Sequence, residues 1–175
     1  DRATGPAAVK PLCAGAPDTL EIAEEMKNAV ESATRKRPDI IWIEEMVDRP
    51  AVIELYSHAS VFCCPSIYEP FGIINLEAMA CETAVVASAV GGIKEVVVDG
   101  ETGFLVPLKQ MQESPFEPLD PEEFSRHLAA KINELMKDCN LHETFGKAGR
   151  KRAEERFSWS AIAGKTKALY ETLKR

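Results

Sequence analysis

Residues 61–92, VFCCPSIYEPFGIINLEAMACETAVVASAVGG, constrain the possible folds of this chain more than any other stretch. Residues 61–64 form a short apolar run stopped by Pro65, the form of a strand buried on both faces of a parallel sheet. Residues 66–71 make a polar, aromatic, proline-punctuated loop. From Gly72 onward, Ile73, Ile74, Leu76, Ala78, Met79 and Ala80 can cover one side of a helix. Residues 84–87 are a second apolar run, and Gly91-Gly92 signals a turn. The order is therefore strand, loop, helix, strand and glycine turn.

Two carboxylates lie inside this unit. A helix starting near Phe71 puts Glu69 at its mouth and Glu77 about two turns further in, at about 3.6 residues per turn. The amides of Phe71, Gly72 and Ile73 are expected to be unpaired at the positive end of the helix dipole, and Gly72 has no side chain to keep a ligand away. That combination suits an anion, with an acceptor for hydroxyl groups on either side. An anionic group flanked by sugars would fit it.

The rest of the chain alternates in the same manner. A strand is expected from about residue 9 to 16, with Pro17-Asp18-Thr19 as turn and N-cap of a helix over 18–36. A strand at 40–43 and a helix at 50–59 follow. After the central unit come a short helix over 93–98, a hairpin or tight turn at 99–103 and a strand at 104–107. Residues 109–118 read as an exposed loop. Asp120 is a candidate N-cap for a helix over 121–137, followed by a basic-faced helix over 141–157 and a last helix from about 158. Such alternation implies a Rossmann-like parallel sheet flanked by helices, with extra C-terminal helices, and ligands beyond the carboxyl ends of the strands.

Composition narrows the function classes. At 175 residues the chain suits a single domain with a sizeable core. A net charge of −7 and a pI near 5.1 argue against a surface built for nucleic acid or anionic membrane, so any phosphate must be held by local geometry. No apolar run approaches the roughly 20 residues of a membrane span, and no N-terminal signal pattern is present, which predicts a soluble protein. The five cysteines lack CxxC spacing. Cys63, Cys64 and Cys81 sit in apolar segments expected to be buried, and free thiols point to the cytoplasm. His58, His127 and His142 have no metal-site spacing, and the lysines and arginines of residues 147–156 read as a solvated helix face.

At these residues the chain resembles the retaining nucleotide-sugar glycosyltransferases of the GT-B fold, in the large family four that includes the actinobacterial-type glycogen synthases. The resemblance rests on Glu69-Pro70-Phe71-Gly72-Ile73 with Glu77 closing an E-x7-E pattern. NLEAMAC, AVVAS, VGGIKEVVVDG and TGFLVP follow in that order, and the ordered set is far more specific than a bare pair of glutamates. It implies that Glu77 binds the ribose hydroxyls of the donor nucleotide and that Glu69, the catalytic candidate, lies beside the transferred hexose. The amides of Phe71, Gly72 and Ile73 would face the sugar and diphosphate, and those of Ile73 and Ile74 the distal phosphate. Met46, within residues 44–47, would stand where the family places the nucleobase. No metal or redox cofactor is implied.

The resemblance also implies parts outside this stretch. An acceptor-binding N-terminal domain and a basic pair after the first strand of this domain would precede Leu12. The chain is thus expected to be most of a donor-binding half, inactive alone, from an enzyme that moves glucose from ADP- or UDP-glucose to an α-glucan or small sugar. Within the matched region Glu82 stands where glycine is common, and Lys94 where proline is common. A left-handed backbone at Glu82 would be strained. The rival readings are another GT-B enzyme, such as a sugar-nucleotide epimerase, and a noncatalytic nucleotide-sugar binding module.

Overall fold

The structure, a computed structural model, describes residues 10–14 and 19–173 and divides into two compact units at Val52 and Ile53. In the first unit strand β1 (Leu12–Ala14) runs parallel to β2 (Ile41–Ile43), with Leu12 opposite Ile41 and Ala14 opposite Ile43. Helix α1 (Leu20–Lys36) makes the crossover, as a parallel pair requires. Thr19 has an extended backbone and its Oγ1 accepts from the Ile22 amide at 3.2 Å, so it is the N-cap. The expected strand start near Val9 and the Pro17-Asp18 turn lie outside the described residues. Helix α2 (Arg49–His58) begins behind Asp48, whose Oδ1 accepts from the Ala51 amide, and carries the chain into the second unit.

The second unit is built on a parallel sheet of strands β3 (Val61–Cys64), β4 (Ala84–Ser88) and β5 (Gly103–Val106), in that spatial order. Val61 pairs with Ala84 and Cys64 with Ala87, and Val85 pairs with Gly103 and Ser88 with Val106. Helix α3 (Ile73–Ala80) links β3 to β4, and α4 (Ile93–Val96) lies between β4 and β5. Helices α5 (Pro121–Lys137) and α6 (Cys139–Arg152), a π-helical turn (Ala153–Phe157) and α7 (Trp159–Leu173) complete it.

Every residue of β4 is buried, and its alternation divides the core in two. Val85 and Ala87 pack with Met79, Ile93 and Val96, while Ala84 and Val86 pack with Phe104, Phe124, Leu135 and Phe145. A strand covered on both faces needs an unbroken apolar run, and AVVA supplies it. Each buried aliphatic side chain contributes about 1.5–3 kcal/mol. The α/β class, with a parallel sheet between helices and extra C-terminal helices, is as the sequence implied.

Several details differ from expectation. Of the hairpin or tight turn expected at residues 99–103, the tight turn forms: Asp99 and Gly103 make a parallel bridge, and the Gly100 amide donates to the Gly103 carbonyl at 2.9 Å. The helix expected over 141–157 starts at Cys139 and gives way to a π turn at Ala153, next to Arg152, which donates to the Val96 and Glu95 carbonyls at 2.8 and 2.7 Å. Of the three cysteines expected in the core, Cys64 alone is buried, and Cys63 and Cys81 are half-buried. Residues 109–118 are an anchored loop: Gln110 Nε2 donates to the carbonyls of Ile67 and Phe116.

Candidate functional site

The site elements meet where β3 and β4 end. Beyond Cys64 the chain is tied down by Ser88, whose hydroxyl donates to the Ser66 carbonyl, and by a 3.3 Å contact between Cys64 Sγ and Ser66 Oγ. Asn75, fully buried on α3, directs Nδ2 at Cys64 Sγ at 3.5 Å. These links are side chain to strand end, so the loop that carries Glu69 starts from a fixed point.

Gly72 caps α3 at φ +96, a conformation that disfavours any residue with a Cβ. Its amide donates to Glu69 Oε1 at 3.0 Å. Of the amides expected to be unpaired, that of Gly72 is therefore taken by the very carboxylate that guards the helix mouth. The amides of Phe71, Ile73 and Ile74 have no acceptor among the described residues, and all three residues are exposed. The absent side chain of Gly72 does not clear space for a ligand either: a Cβ there would meet Asn75 Nδ2 at 3.1 Å and Ile93 Cγ1 at 3.2 Å. Gly72 is buried, and its smallness serves packing against α4.

The loop is held from the other side by the glycine turn. The Gly92 amide donates to the Glu69 carbonyl at 3.0 Å. A Cβ on Gly91 would stand 2.0 Å from the Glu69 carbonyl oxygen, and one on Gly92 2.4 Å from that of Pro70 and 2.5 Å from Phe71 Cα. Two motifs read separately in the sequence are thus one contact. Phe71 in turn meets Phe157 of the π turn edge-on, ring centroids 5.9 Å apart.

Glu77 is half-buried on α3. The hydroxyl of Tyr56 is pushed up to about 12, chiefly by burial and further by the Glu77 carboxylate, which places the negative charge of Glu77 close to the end of α2. Tyr56 is anchored edge-on to Phe62 at 5.2 Å, and its carbonyl accepts from Thr83 Oγ1 at 2.5 Å. Sequence reasoning did not single out Tyr56. Met46 is 81% exposed and belongs to the first unit, whereas Glu69, Phe71, Gly72, Ile73, Ile74 and Glu77 all belong to the second. Of the two departures noted in the sequence, Glu82 does adopt a left-handed backbone, φ +61, and Lys94 is exposed on α4.

A helix mouth with exposed amides between two carboxylates, at the carboxyl end of a parallel sheet, defines an α/β protein equipped to hold an anion flanked by hydroxyl groups. Residues 23–114, just over half of the chain, match the family of glycosyl transferases group 1. The chain belongs to that family. It is 48% identical over 159 residues to an alpha-maltose-1-phosphate synthase of Mycolicibacterium smegmatis, covering 91% of this chain and 39% of that protein. It is 39% identical over 134 residues to a D-inositol 3-phosphate glycosyltransferase of Kribbella flavida, covering 77% and 28%.

Among solved structures, sucrose-phosphate synthase from Thermosynechococcus elongatus superposes with a TM-score of 0.72 at 33% identity, covering 94% of this chain and 38% of that one. Anabaena HepE in complex with UDP superposes with a TM-score of 0.74 at 23% identity, covering 94% and 41%, a likeness of fold. The chain spans 28–41% of the length of these relatives. No described helix is long and apolar enough to cross a membrane.

Proposed function

We propose that this chain is the single donor-binding domain of a cytoplasmic, retaining hexosyltransferase that moves glucose from ADP- or UDP-glucose to a sugar acceptor. The observation that carries this reading is the mouth of α3, where the amides of Phe71, Ile73 and Ile74 lie open between Glu69 and Glu77. In the proposed complex these amides take the oxygens of the donor diphosphate, the Ile73 and Ile74 amides those of the distal phosphate. Glu77 accepts from the ribose hydroxyls. Glu69 presents Oε2 to the transferred hexose while Oε1 stays on the Gly72 amide, so Gly72 acts on the donor by aiming Glu69. Met46 is assigned to the nucleobase on the resemblance alone.

A group 1 enzyme of this kind passes glucose to an α-glucan, as glycogen synthases do, or to a small phosphorylated acceptor. The names of the relatives, a maltose-1-phosphate synthase and an inositol 3-phosphate glycosyltransferase, favour the phosphorylated acceptor. The remaining three fifths of such relatives leave room for an acceptor-binding partner domain and for cations that would stabilise the leaving diphosphate. This domain alone is then expected to bind donor without turnover.

Calorimetric titration with ADP, UDP and GDP tests the reading. A hydrogen bond to a charged group contributes roughly 1.5–3 kcal/mol, so Glu77→Ala should weaken nucleotide binding about tenfold or more. Wild-type affinity in that variant would remove the ribose assignment. Failure of the unsubstituted chain to bind any of the three would leave a structural module in place of a donor domain. In a full-length enzyme carrying this domain, Glu69→Ala should lower kcat while nucleotide affinity stays near wild type.

A further inference from the structure

Phe71 stands at the mouth of α3, and its amide has no acceptor among the described residues. The direction of that amide depends on how the residue itself is held, because a loop residue keeps two soft backbone dihedrals. Phe71 is gripped twice. Its backbone lies against Gly92, where an added Cβ would stand 2.5 Å from Phe71 Cα and 2.9 Å from Phe71 N. Its ring meets that of Phe157 edge-on, centroids 5.9 Å apart and planes inclined by 68°.

Phe157 is fixed in its turn. It packs against the core cluster that contains Val90, Ile93 and Val96, and the Arg152 guanidinium lies over its ring, 5.6 Å from the centroid. Arg152 Nε and Nη2 donate to the Val96 and Glu95 carbonyls at 2.8 and 2.7 Å. Both grips on Phe71 therefore lead back to α4. Gly92, ahead of that helix, holds the backbone, and the carbonyls of Glu95 and Val96 hold the ring through Arg152 and Phe157. All of these residues belong to the second unit. Phe157 is also the last residue of the π-helical turn, and such turns are rare and recur at functional sites. The ring contact takes freedom from Phe71 before any ligand arrives, and a donor amide ordered in advance binds an anion more tightly than one ordered on binding.

We propose that Phe157 is a positioning residue for the donor diphosphate: by bracing the Phe71 ring it fixes the Phe71 amide at the mouth of α3 for a phosphate oxygen. The inference rests on the donor reading of that mouth. Ribose is assigned to Glu77 in that reading, so the effect of Phe157 falls on the diphosphate and spares the nucleoside.

The 175-residue chain, isotopically labelled, is titrated by NMR with ADP, UDP and GDP and with millimolar adenosine, uridine and guanosine. Phe157→Ala should weaken the nucleoside diphosphate that binds about three- to tenfold, the size of one aromatic pair, and leave its nucleoside within about twofold. Phe157→Tyr keeps the ring and should bind as wild type does. Phe71→Ala removes the other ring, so adding Phe157→Ala to it should cost nothing more. Phe157→Leu, with apolar bulk but no ring edge, should show the same diphosphate-selective loss and replaces Phe157→Ala if that variant loses its dispersed amide spectrum. Undiminished diphosphate affinity in these variants, losses that add in the double variant, or an equal loss of nucleoside and diphosphate would overturn the positioning role and leave the donor reading standing. A wild-type chain that binds none of the three diphosphates would overturn the donor reading and this role with it.

Discussion

At the scale of single residues, the site depends on backbone brought into contact with backbone. Gly92 is the clearest case. Its φ is −75°, which any residue can adopt, so only the Pro70 carbonyl and Phe71 Cα demand glycine there. Gly92→Ala must push the Glu69-bearing loop away from the β4–α4 turn and break the 3.0 Å bond to the Glu69 carbonyl. Overpacking of this kind costs about 1–3 kcal/mol, so the urea midpoint should fall and nucleotide affinity should drop with it. An unchanged midpoint with unchanged affinity would show that the loop moves freely. Glu82 is the reverse case: its left-handed backbone is one that glycine adopts without penalty, and the strain expected from the sequence is present. At Gly72 the room left by the missing Cβ is taken by Asn75 and Ile93.

At the scale of elements, α6 is locked to the ends of two site elements by arginines. Arg150 Nη1 donates to the Ala80 carbonyl at the end of α3 at 2.9 Å, and Arg152 spans the Val96 and Glu95 carbonyls at the end of α4. Cations suit helix C-termini, where carbonyls lack partners. Arg152→Ala leaves two carbonyls to water and frees Phe157, over whose ring the Arg152 guanidinium lies at 5.6 Å. A loss of about 1–3 kcal/mol is expected by chemical denaturation, with local hydrogen-exchange protection falling first in the π turn. Equal protection in wild type and variant would mean that packing alone holds the turn. The helices and strands themselves were legible from apolar period and caps: Asp120 does accept from the Glu123 amide at 2.8 Å, ahead of a helix starting at Pro121. Their interruptions were not, because Arg152 reads as one more charge in a basic run until its partners 56 and 57 residues away are known.

At the scale of the whole molecule, stability at high pH should report the surroundings of Glu77. Tyr56 has its folded value raised to about 12 from an ordinary 10 by burial first and the Glu77 carboxylate next. Between those values the unfolded chain gives up the proton and the folded chain keeps it. The contribution is therefore present below pH 10 and lost as pH rises towards 12. Tyr56→Phe should flatten the fall in stability over that window relative to wild type. In the folded chain, absorbance titration should show Tyr56 ionising late, and Glu77→Gln should bring it earlier. Equally late ionisation of Tyr56 in wild type and Glu77→Gln would separate Tyr56 from Glu77.

The sequence by itself determined the class and the raw materials of the site. Apolar runs of four or five residues, alternating with helical periods, admit little but a parallel sheet between helices, because both patterns act over a few residues. Glu69 and Glu77 stand out as candidates for the same reason, being on one loop and one helix. What only the tertiary structure decided is which groups remain for a ligand. The Gly72 amide is occupied by Glu69, the Glu69 carbonyl by Gly92, and the Ile67 carbonyl by Gln110 from 43 residues away. Hydrogen-bond vacancies are what remains after distant segments have packed, and no local periodicity encodes that remainder.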